Sequence, residues 1–479
     1  MSTDIMLVNP LFLHEDPTES KLMTPYFPLG LLYLASMARE AGYKVSIFDS
    51  MFRSGDHEFR AALEQEKPTV VGISVLVTVR AAGLRLAKIA KEYGATVIIG
   101  GADPTGRPAS YLYDDEGRRQ PVDVVVMSEG EHTLLNLLPI LLESHGKGVD
   151  PRLGNVRGIA FVAEDGQVVT TPPAELSNDL DSIPMPARDL IDIEAYRRAW
   201  VSHHGIFSLS LIATRGCPYG CKWCQKAVFG RLFRARSPEN VADEMLLIKQ
   251  RYRPDQLRIV DDVMGINRRW TKRWRDAVLA RDAVIPFECL SRVDLMDEDL
   301  IRTLKDAGCK RIAFGAESGS QKVLDAMRKG TKVDQIRRAV DLCRKYNIES
   351  YFFIMLGYPG EKWEDIQMTA ALLKETRPDT WSSTVAYPLP GTEFYEEVQH
   401  QLLLSDPNWD YTTENKLLFQ REYSTRFYRW VQRWMQQEWR LEKARHGELP
   451  APLPRRLRWE ASRLVTRGVV EVLRHQPVH

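Results

Sequence analysis

Apolar residues recur along the chain with two alternating periods. Short apolar runs such as "DIMLVN", "KVSIFD", "TVVGISV", "ATVIIGG" and "VDVVVMSEG" have the length of buried strands. Between them lie helical patterns such as "GLLYLASMAREAGY" and "GLRLAKIAKEYGA". Strands that alternate with helices of this length predict an α/β domain, a doubly wound, Rossmann-like parallel sheet with helices on both faces. We assign this first domain to residues 1–150.

The pattern changes after this domain and then resumes. Residues 151–200 predict a hairpin that turns at Asp165-Gly166, followed by a proline-containing linker. Residues 201–400 predict a second series of strands separated by helices, at "FSLSLIAT", "QLRIVDD", "FECLSR", "RIAFGAES", "SYFFIMLG" and "TWSSTVAY". Six strand–helix repeats predict a partial (β/α)6 barrel of the TIM-barrel type, whose functional residues lie at the carboxyl ends of the strands.

The last segment, residues 401–479, is basic and rich in tryptophan. Residues 421–479 contain 13 Lys and Arg against 6 Glu, and "TRFYRWVQRWMQQEWRLEKARHG" has a helical pattern. Such a helix can rest on a membrane surface or cover a large apolar substrate. It can equally cap the barrel, with its aromatic side chains packed inward and its arginines in water. We favour the cap over peripheral membrane contact.

Composition and charge exclude several classes of protein. The chain has 479 residues, of which 44% are hydrophobic and 27% charged, and a net charge of +1. These values fit a multidomain globular protein without the basic character that nucleic-acid binding requires. The start "MSTDIMLVNP" predicts no signal peptide, and no apolar run is long enough to span a membrane. We therefore expect a cytoplasmic protein with reduced thiols, in which a metal or redox centre is favoured over disulfides.

Three of the six cysteines lie in the segment "TRGCPYGCKWCQ", at Cys217, Cys221 and Cys224. A structural zinc site takes four ligands, and the cluster of a simple electron carrier usually takes four thiolates. Three thiolates on a four-iron cluster leave one iron open for another ligand, which is a catalytic arrangement. The remaining cysteines are far apart in sequence, and we interpret them as packing residues: Cys289, Cys309 and Cys343.

The C-x-x-x-C-x-x-C segment, directly after the first strand of a βα barrel and with an aromatic residue before its third cysteine, resembles the radical S-adenosylmethionine (SAM) superfamily. The resemblance implies that the cysteines bind a 4Fe–4S cluster, that SAM binds the open iron, and that one electron cleaves SAM to a 5′-deoxyadenosyl radical. "FGAESGS", "LGYPGE" and "YPLPGTEFYEE" are similar to the branch that also binds cobalamin. The implied SAM contacts are Trp223, Ser291, Arg292, Glu317 and Ser318.

Asp261 and Asp262 also end a strand and could touch SAM or substrate. For these two residues we favour ordinary hydrogen bonding at the end of a loop. The same structural interpretation is the alternative for every polar residue that the resemblance assigns to SAM.

The first domain carries part of the fingerprint of cobalamin-binding proteins. Ser-x-Leu, Gly-Gly and "SEGEHTLLNLL" occur in the expected order, but the Asp-x-His-x-x-Gly after the first strand is absent. Many cobalamin-binding radical SAM members also lack that histidine, which leaves the lower face of the cobalt without it. Loss of cobalamin, or another nucleotide-like ligand, remains the alternative. The implied cobalamin contacts are Ser74, Leu76, Val77, Thr78, Gly100, Gly101, Glu129 and Gly130.

By resemblance, we expect a cobalamin-dependent radical SAM enzyme that methylates an unactivated carbon of a small-molecule, lipid or natural-product substrate. The alternatives are a non-methylating cyclisation or rearrangement, as in the anaerobic magnesium-protoporphyrin monomethyl ester cyclase, and a non-catalytic iron–sulfur or cobalamin sensor. A methylthiotransferase acting on tRNA is disfavoured because residues 1–216 contain no cysteine. The expected partners are a small-molecule substrate and an electron donor such as flavodoxin or ferredoxin, without nucleic acid.

Overall fold

A computed structural model describes residues 3–403 and 419–476. Residues 404–418 and 477–479 of the predicted C-terminal region lie outside the described residues. Two sheets organise the chain, and each has its own set of helices.

The first sheet has the strand order β2-β1-β3-β4-β5-β6-β7, and its first five strands are parallel. Each apolar run of the first domain forms one of these strands. The runs are largely buried because helices cover both faces of the sheet, except in the edge strand β2, where only Phe48 is buried. The strands are β1 (Ile5–Asn9), β2 (Val45–Asp49), β3 (Val70–Ser74), β4 (Thr96–Gly100), β5 (Val124–Val126), β6 (Ile159–Val162) and β7 (Val168–Thr170). The helices are α1 (Pro17–Leu22), α2 (Leu29–Glu40), α3 (Asp56–Glu66), α4 (Arg80–Glu92), α5 (Ala102–Gly106) and α6 (Glu131–Glu143).

The hairpin predicted at Asp165-Gly166 is present as β6 and β7. Gly166 has a φ of +84°, a conformation that glycine adopts without strain. Strand β6 pairs antiparallel with β5, so the hairpin extends the edge of the first sheet.

The second sheet contains six parallel strands in the order β15-β14-β13-β12-β11-β8, which is the predicted partial barrel. Its strands are β8 (Ser208–Leu211), β11 (Gln256–Ile259), β12 (Phe287–Ser291), β13 (Cys309–Glu317), β14 (Glu349–Leu356) and β15 (Thr380–Val385). A small antiparallel ribbon of β9 (Thr214–Arg215) and β10 (Arg234–Ala235) follows β8. The helices are α7 (Ile193–His204), α8 (Pro238–Arg251), α9 (Arg268–Ala280), α10 (Glu298–Asp306), α11 (Gln321–Ala326), α12 (Val333–Lys345), α13 (Trp363–Thr376) and α14 (Glu393–Val398).

Two long helices, α15 (Thr425–Arg445) and α16 (Leu453–Leu473), form a hairpin at the end of the chain. Helix α15 begins at Ser424, whose hydroxyl accepts a hydrogen bond from the backbone N–H of Phe427. It packs on α13 and buries Trp434, as expected for a cap. Within the described residues, no helix has the length and apolarity needed to cross a bilayer.

Helix α7 joins the two halves. The Tyr196 ring stacks on Phe27 with 4.2 Å between centroids, and its hydroxyl donates to Asp49 at 2.7 Å. The Trp200 indole N–H donates to the carbonyl of Pro25 at 2.9 Å. These buried contacts, and a hydrophobic core that includes residues of both halves, hold the carboxyl edges of the two sheets in a fixed relation.

Candidate functional site

A largely apolar cavity of about 330 Å³ lies at the carboxyl edge of the first sheet. Its floor comes from strand residues such as Gly72 and Ile98, and its side walls come from α2 and α6. Val228 and Phe229 of the second half, together with Val260 after β11, complete the lining. The cavity therefore lies where ligands bind in open α/β sheets, and the second sheet contributes one of its walls.

The structure brings most of the predicted cobalamin contacts to this cavity. Its lining includes Ser74, Leu76, Gly100, Gly101, Glu129 and Gly130. Val77 and Thr78 lie on a short 3-10 turn next to the cavity but are not among its lining residues.

The Gly100-Gly101 pair is also required by the local backbone structure. A Cβ on Gly101 would lie 2.4 Å from the carbonyl oxygen of Val75, and its φ is +116°. The glycine thus lets the loops after β3 and β4 touch.

Glu129 forms a buried ion pair with Arg234. Its two carboxylate oxygens accept hydrogen bonds from Arg234, at 2.5 and 2.9 Å. Next to them, Arg215 donates to Glu131 at 2.6 Å, and its other terminal nitrogen lies 3.5 Å from Glu129. Burial alone would lower the pKa of Arg215, but the two carboxylates raise it above its ordinary value. The network keeps four charges buried between the two halves of the molecule.

Arg215 was not predicted from the sequence as a site residue, although it stands two positions before Cys217. Its guanidinium lies 5.0 Å from the Phe229 ring centre and 5.6 Å from that of Tyr33, and its Nη1 makes no hydrogen bond. All three side chains line the cavity. The signal in the sequence was the polar "TR" at the carboxyl end of the first barrel strand.

The three clustered cysteines lie on the loop 216–233, between the two strands of the β9–β10 ribbon. Gly216 starts this loop at a φ of +84°, and a Cβ there would lie 2.1 Å from the carbonyl oxygen of Leu232. Only glycine allows the ribbon to close at that point. All three thiols are free and partly buried.

A cationic side chain lies against this loop. The Arg292 guanidinium lies 3.6 Å from the centre of the Tyr219 ring, and its Nη1 is 3.8 Å from the Cys221 sulfur. Its Nη2 donates to the carbonyl of Lys329 at 2.7 Å, and Asp294 pairs with it at 2.9 Å. Arg292, which the resemblance assigns to SAM, therefore reaches the cysteine loop.

Glu317 and Lys329 form a buried ion pair of 2.9 Å beside the same loop. Glu317 ends β13 at an irregularity of the β13–β14 register and has a φ of +60°, which is unusual for a residue other than glycine. A Cβ on Gly315 would come within 2.5 Å of atoms of both partners, so glycine leaves them room. Lys329 lies 5.7 Å from the centre of the Trp223 ring, whose buried N–H makes no hydrogen bond.

Other predicted polar residues make ordinary structural hydrogen bonds. Ser291 donates to the carbonyl of Met264 at 2.7 Å, and Ser318 hydrogen-bonds Thr369 at 3.1 Å. Asp261 accepts two backbone N–H bonds and the hydroxyl of Thr214, while burial raises its pKa to about 6. This agrees with the structural interpretation favoured for Asp261. Burial also raises the pKa of the neighbouring Asp262 carboxyl, which accepts a backbone N–H bond from Gly216.

The donor set of the loop fits a 4Fe–4S cluster. Burial raises the pKa of Cys224 to about 11 and that of Cys217 above its usual value, while the Lys226 ammonium opposes both shifts. Bound iron ionises its thiol ligands outright. In the part of the chain that the structure describes, no three His, Cys, Asp or Glu side chains are arranged to hold a single metal ion. A cubane accepts each thiolate on a different iron, so its ligands need not converge on one point.

Cys289, Cys309 and Cys343 are buried in the barrel, as expected for packing residues.

A second cavity, of about 320 Å³, opens directly beside Cys221 and Cys224. Its lining is polar and includes Lys226 and Arg231, neither of which lies within 4 Å of a carboxylate oxygen among the described residues. Thr105 and Gly106 of the first half and Gly391 of the second half also line it, as does Glu393, whose carboxylate pairs with Arg328 at 2.7 Å. The cysteine loop thus lies between the apolar cavity on one side and a cationic opening on the other.

Comparison with known proteins agrees with this arrangement. The chain matches the B12 binding domain family over residues 20–138 and the Radical SAM superfamily over residues 211–373. It is 29% identical to an uncharacterized methyltransferase from Pyrococcus horikoshii, over 88% of this chain and 90% of that protein. It is 27% identical to the anaerobic magnesium-protoporphyrin IX monomethyl ester cyclase of Rubrivivax gelatinosus, over 79% and 67% of the respective chains.

Among solved structures, the chain resembles TsrM from Kitasatospora setae, a radical SAM methyltransferase determined with cobalamin and a 4Fe–4S cluster bound. The TM-score is 0.68 at 20% identity, over 84% of this chain and 75% of TsrM. The likeness at this identity is one of fold.

Proposed function

Since the chain belongs to the cobalamin-binding radical SAM enzymes, we propose that it transfers a methyl group to an unactivated carbon of a small-molecule substrate. A 4Fe–4S cluster, SAM and cobalamin are the cofactors that its two domains imply. When bound, the cluster and SAM supply a 5′-deoxyadenosyl radical, and cobalamin supplies a transferable methyl group. The observation that carries the proposal is that the cysteine loop and the apolar cavity adjoin each other between the two carboxyl edges.

In this proposal the cysteine loop holds the cluster through Cys217, Cys221 and Cys224. Arg292 lies against Cys221 and would keep a positive charge beside the anionic thiolates. Glu317, held in place by Lys329, is the side chain that we assign to the amino group of SAM, with Trp223 next to it. Ser291 and Ser318 would support the walls of that pocket through their hydrogen bonds.

We assign the apolar cavity to cobalamin, which the strand residues of its floor and the helices α2 and α6 would hold. The absence of side chains at Gly30, Gly72, Gly100 and Gly130 keeps the cavity open. Val77 and Thr78 remain our proposed neighbours of the lower face of the cobalt, from the turn beside the cavity.

The assignment of the apolar cavity to cobalamin is tested by filling part of the cavity with a larger side chain. No atom lies within 4 Å of a Cβ built on Gly30, which lines the cavity, so Gly30→Leu adds volume there without a direct clash. Gly154→Leu is the matched control, because Gly154 is equally free of neighbours and lies outside the cavity. We expect Gly30→Leu to lose most cobalamin in a visible-spectrum titration and the control to retain it. Equal binding by both variants would contradict the assignment.

The reaction is tested with SAM labelled in its methyl group, in anaerobically reconstituted enzyme with a reductant. Formation of 5′-deoxyadenosine together with labelled product supports methyl transfer. The relative named as a magnesium-protoporphyrin cyclase makes cyclisation the second candidate, for which 5′-deoxyadenosine forms and the product carries no label. Absence of 5′-deoxyadenosine would leave a non-catalytic sensor and reject the enzyme.

We further propose that the cationic opening receives an acidic one-electron carrier such as flavodoxin or ferredoxin. Lys226 and Arg231 lie at this opening, next to Cys221 and Cys224, where electron transfer needs a short path. The double variant Lys226→Glu and Arg231→Glu should reduce the rate of cluster reduction by flavodoxin, because like charges slow the encounter. Reduction by dithionite, which does not dock, is the control. Equal slowing with both reductants would contradict this docking site.

A further inference from the structure

The terminal helix α16 presents an apolar face to solvent. Five large aliphatic side chains recur along it and are 60–69% exposed. The residues of this outer face are Leu453, Leu457, Leu464, Val465 and Val472. They repeat at helical spacing on one side of a helix of 21 residues, roughly 30 Å long at the rise of an α-helix. Single exposed leucines are common on protein surfaces, but a continuous stripe of this length marks an interaction surface.

The opposite face of α16 accounts for its attachment to the rest of the molecule. Thr466, Val470 and Leu473 are buried against α15 and the core. On the same side, Arg467 lies 4.9 Å from the Trp434 ring centre and pairs with Glu471 at 2.9 Å. The outer face is therefore not needed for core packing, because the opposite side of α16 already packs against α15 and the core.

The exposed charges at the start of the helix have one sign. Arg455, Arg456 and Arg458, in the first two turns, are exposed and have no carboxylate partner among residues 3–403 and 419–476. The two acidic residues of the helix, Glu460 and Glu471, are both occupied by arginines. An exposed stripe of leucine and valine, on a helix whose first two turns carry three exposed arginines without carboxylate partners, is complementary to a bilayer surface with anionic headgroups.

We propose that the outer face of α16 docks the protein on an anionic membrane surface. The helix lies along the interface, with its aliphatic side chains among the acyl chains and its exposed arginines at the headgroups. A second copy of the chain fits this face less well, because a two-fold interface would add a second set of the same unpaired arginines without unpaired acidic groups to match them. The proposal does not depend on which reaction the enzyme catalyses.

The experiment is flotation of the full-length holoenzyme with vesicles of phosphatidylcholine alone or of phosphatidylcholine mixed with phosphatidylglycerol. We expect binding to the mixed vesicles and little binding to the neutral ones. Leu457→Glu with Leu464→Glu should reduce the bound fraction about ten-fold or more, because charges replace two inserted side chains. Leu279→Glu, at a leucine of α9 that is 49% exposed, is the matched control and should bind as the parent does.

A second variant, Arg455→Gln with Arg456→Gln and Arg458→Gln, tests the charge separately and should weaken binding to the mixed vesicles alone. If both variants unfold at temperatures near that of the parent, misfolding is excluded as the cause of weaker vesicle binding. If the glutamate substitutions destabilise the α15–α16 hairpin, the arginine variant still tests the proposal. Three results would overturn the proposal. These are no binding by the parent, unchanged binding by both variants, or a dimer in sedimentation that the leucine variant converts to a monomer.

Discussion

Replacing Glu129 with alanine removes the carboxylate that holds Arg234 between the two halves of the molecule. The pair is bidentate, and its side chains are only 7% and 4% exposed. Breaking a buried ion pair by removing one partner typically costs about 3–5 kcal/mol, because the remaining charge stays desolvated. Arg234 would keep its hydrogen bond to the carbonyl of Ser177, and Arg215 would keep Glu131. We therefore expect Glu129→Ala to lower the free energy of unfolding by about 3 kcal/mol, the lower end of this range.

The assay is urea-induced unfolding followed by both circular dichroism and tryptophan fluorescence. Glu194→Ala is the control, because it removes an exposed carboxylate that pairs with Arg197 and should cost at most about 1 kcal/mol. The same assay is applied to Arg234→Met alone and to the double variant Glu129→Ala with Arg234→Met. The double variant removes both charges, and we expect it to be no less stable than Glu129→Ala alone.

Two outcomes would refute the reasoning. One is a cost for Glu129→Ala that does not exceed that of the control. The other is a double variant whose cost equals the sum of the two single costs, since independent groups are additive and a coupled pair is not.

Three further predictions concern the cluster, the SAM pocket and the buried carboxyl group of Glu361. Cys224→Ala should lower the iron content from about four per chain to below one, while the buried Cys343→Ala leaves it unchanged; equal iron in both would contradict the cluster assignment. Gly315→Ala should displace the Glu317–Lys329 pair and weaken SAM binding at least ten-fold in calorimetry; unchanged affinity would show that the pair does not serve SAM. Glu361 is fully buried, and burial raises its pKa to about 8, although a backbone N–H bond from Gly357 opposes the shift. Its neutral form is therefore favoured in the folded state, and its contribution to stability is complete below its usual pKa and is lost as the pH rises through about 8. Between pH 5 and pH 8.5, the free energy of unfolding of Glu361→Gln should rise by on the order of 4 kcal/mol relative to that of the parent, as measured by urea unfolding at each pH. If the free energies of the two proteins change in parallel with pH, Glu361 does not titrate in this way.

The order of strands and helices could be predicted from the sequence because it depends on local patterns. Every apolar run that predicted a strand of either sheet is a strand in the structure, and the hairpin at Asp165-Gly166 forms where glycine permits a positive φ. The cysteine loop could be recognised for a similar reason, since its three thiols lie close in sequence. Short-range chemistry of this kind needs no knowledge of distant contacts.

Some site residues became visible only when the chain folded. Arg215, Arg234 and Lys329 acquire their roles from partners that lie on other elements, such as Glu129 for Arg234 and Glu317 for Lys329. Ser291 and Ser318, at strand ends as predicted, have their hydroxyls in structural hydrogen bonds. Which side of a strand end meets a ligand depends on the packing of both sheets, which no local pattern contains.

The C-terminal segment shows most clearly which features follow from the sequence and which follow only from the tertiary structure. Its sequence determined that it is helical, basic and aromatic, and this pattern is compatible with both a cap and a membrane-facing helix. The tertiary structure shows that α15 buries aromatic side chains against α13, whereas α16 is attached through Thr466, Val470 and Leu473 and leaves its opposite face exposed to solvent. Amphipathic spacing fixes which residues share a face of a helix. Only the packed neighbours determine which face is left in contact with solvent.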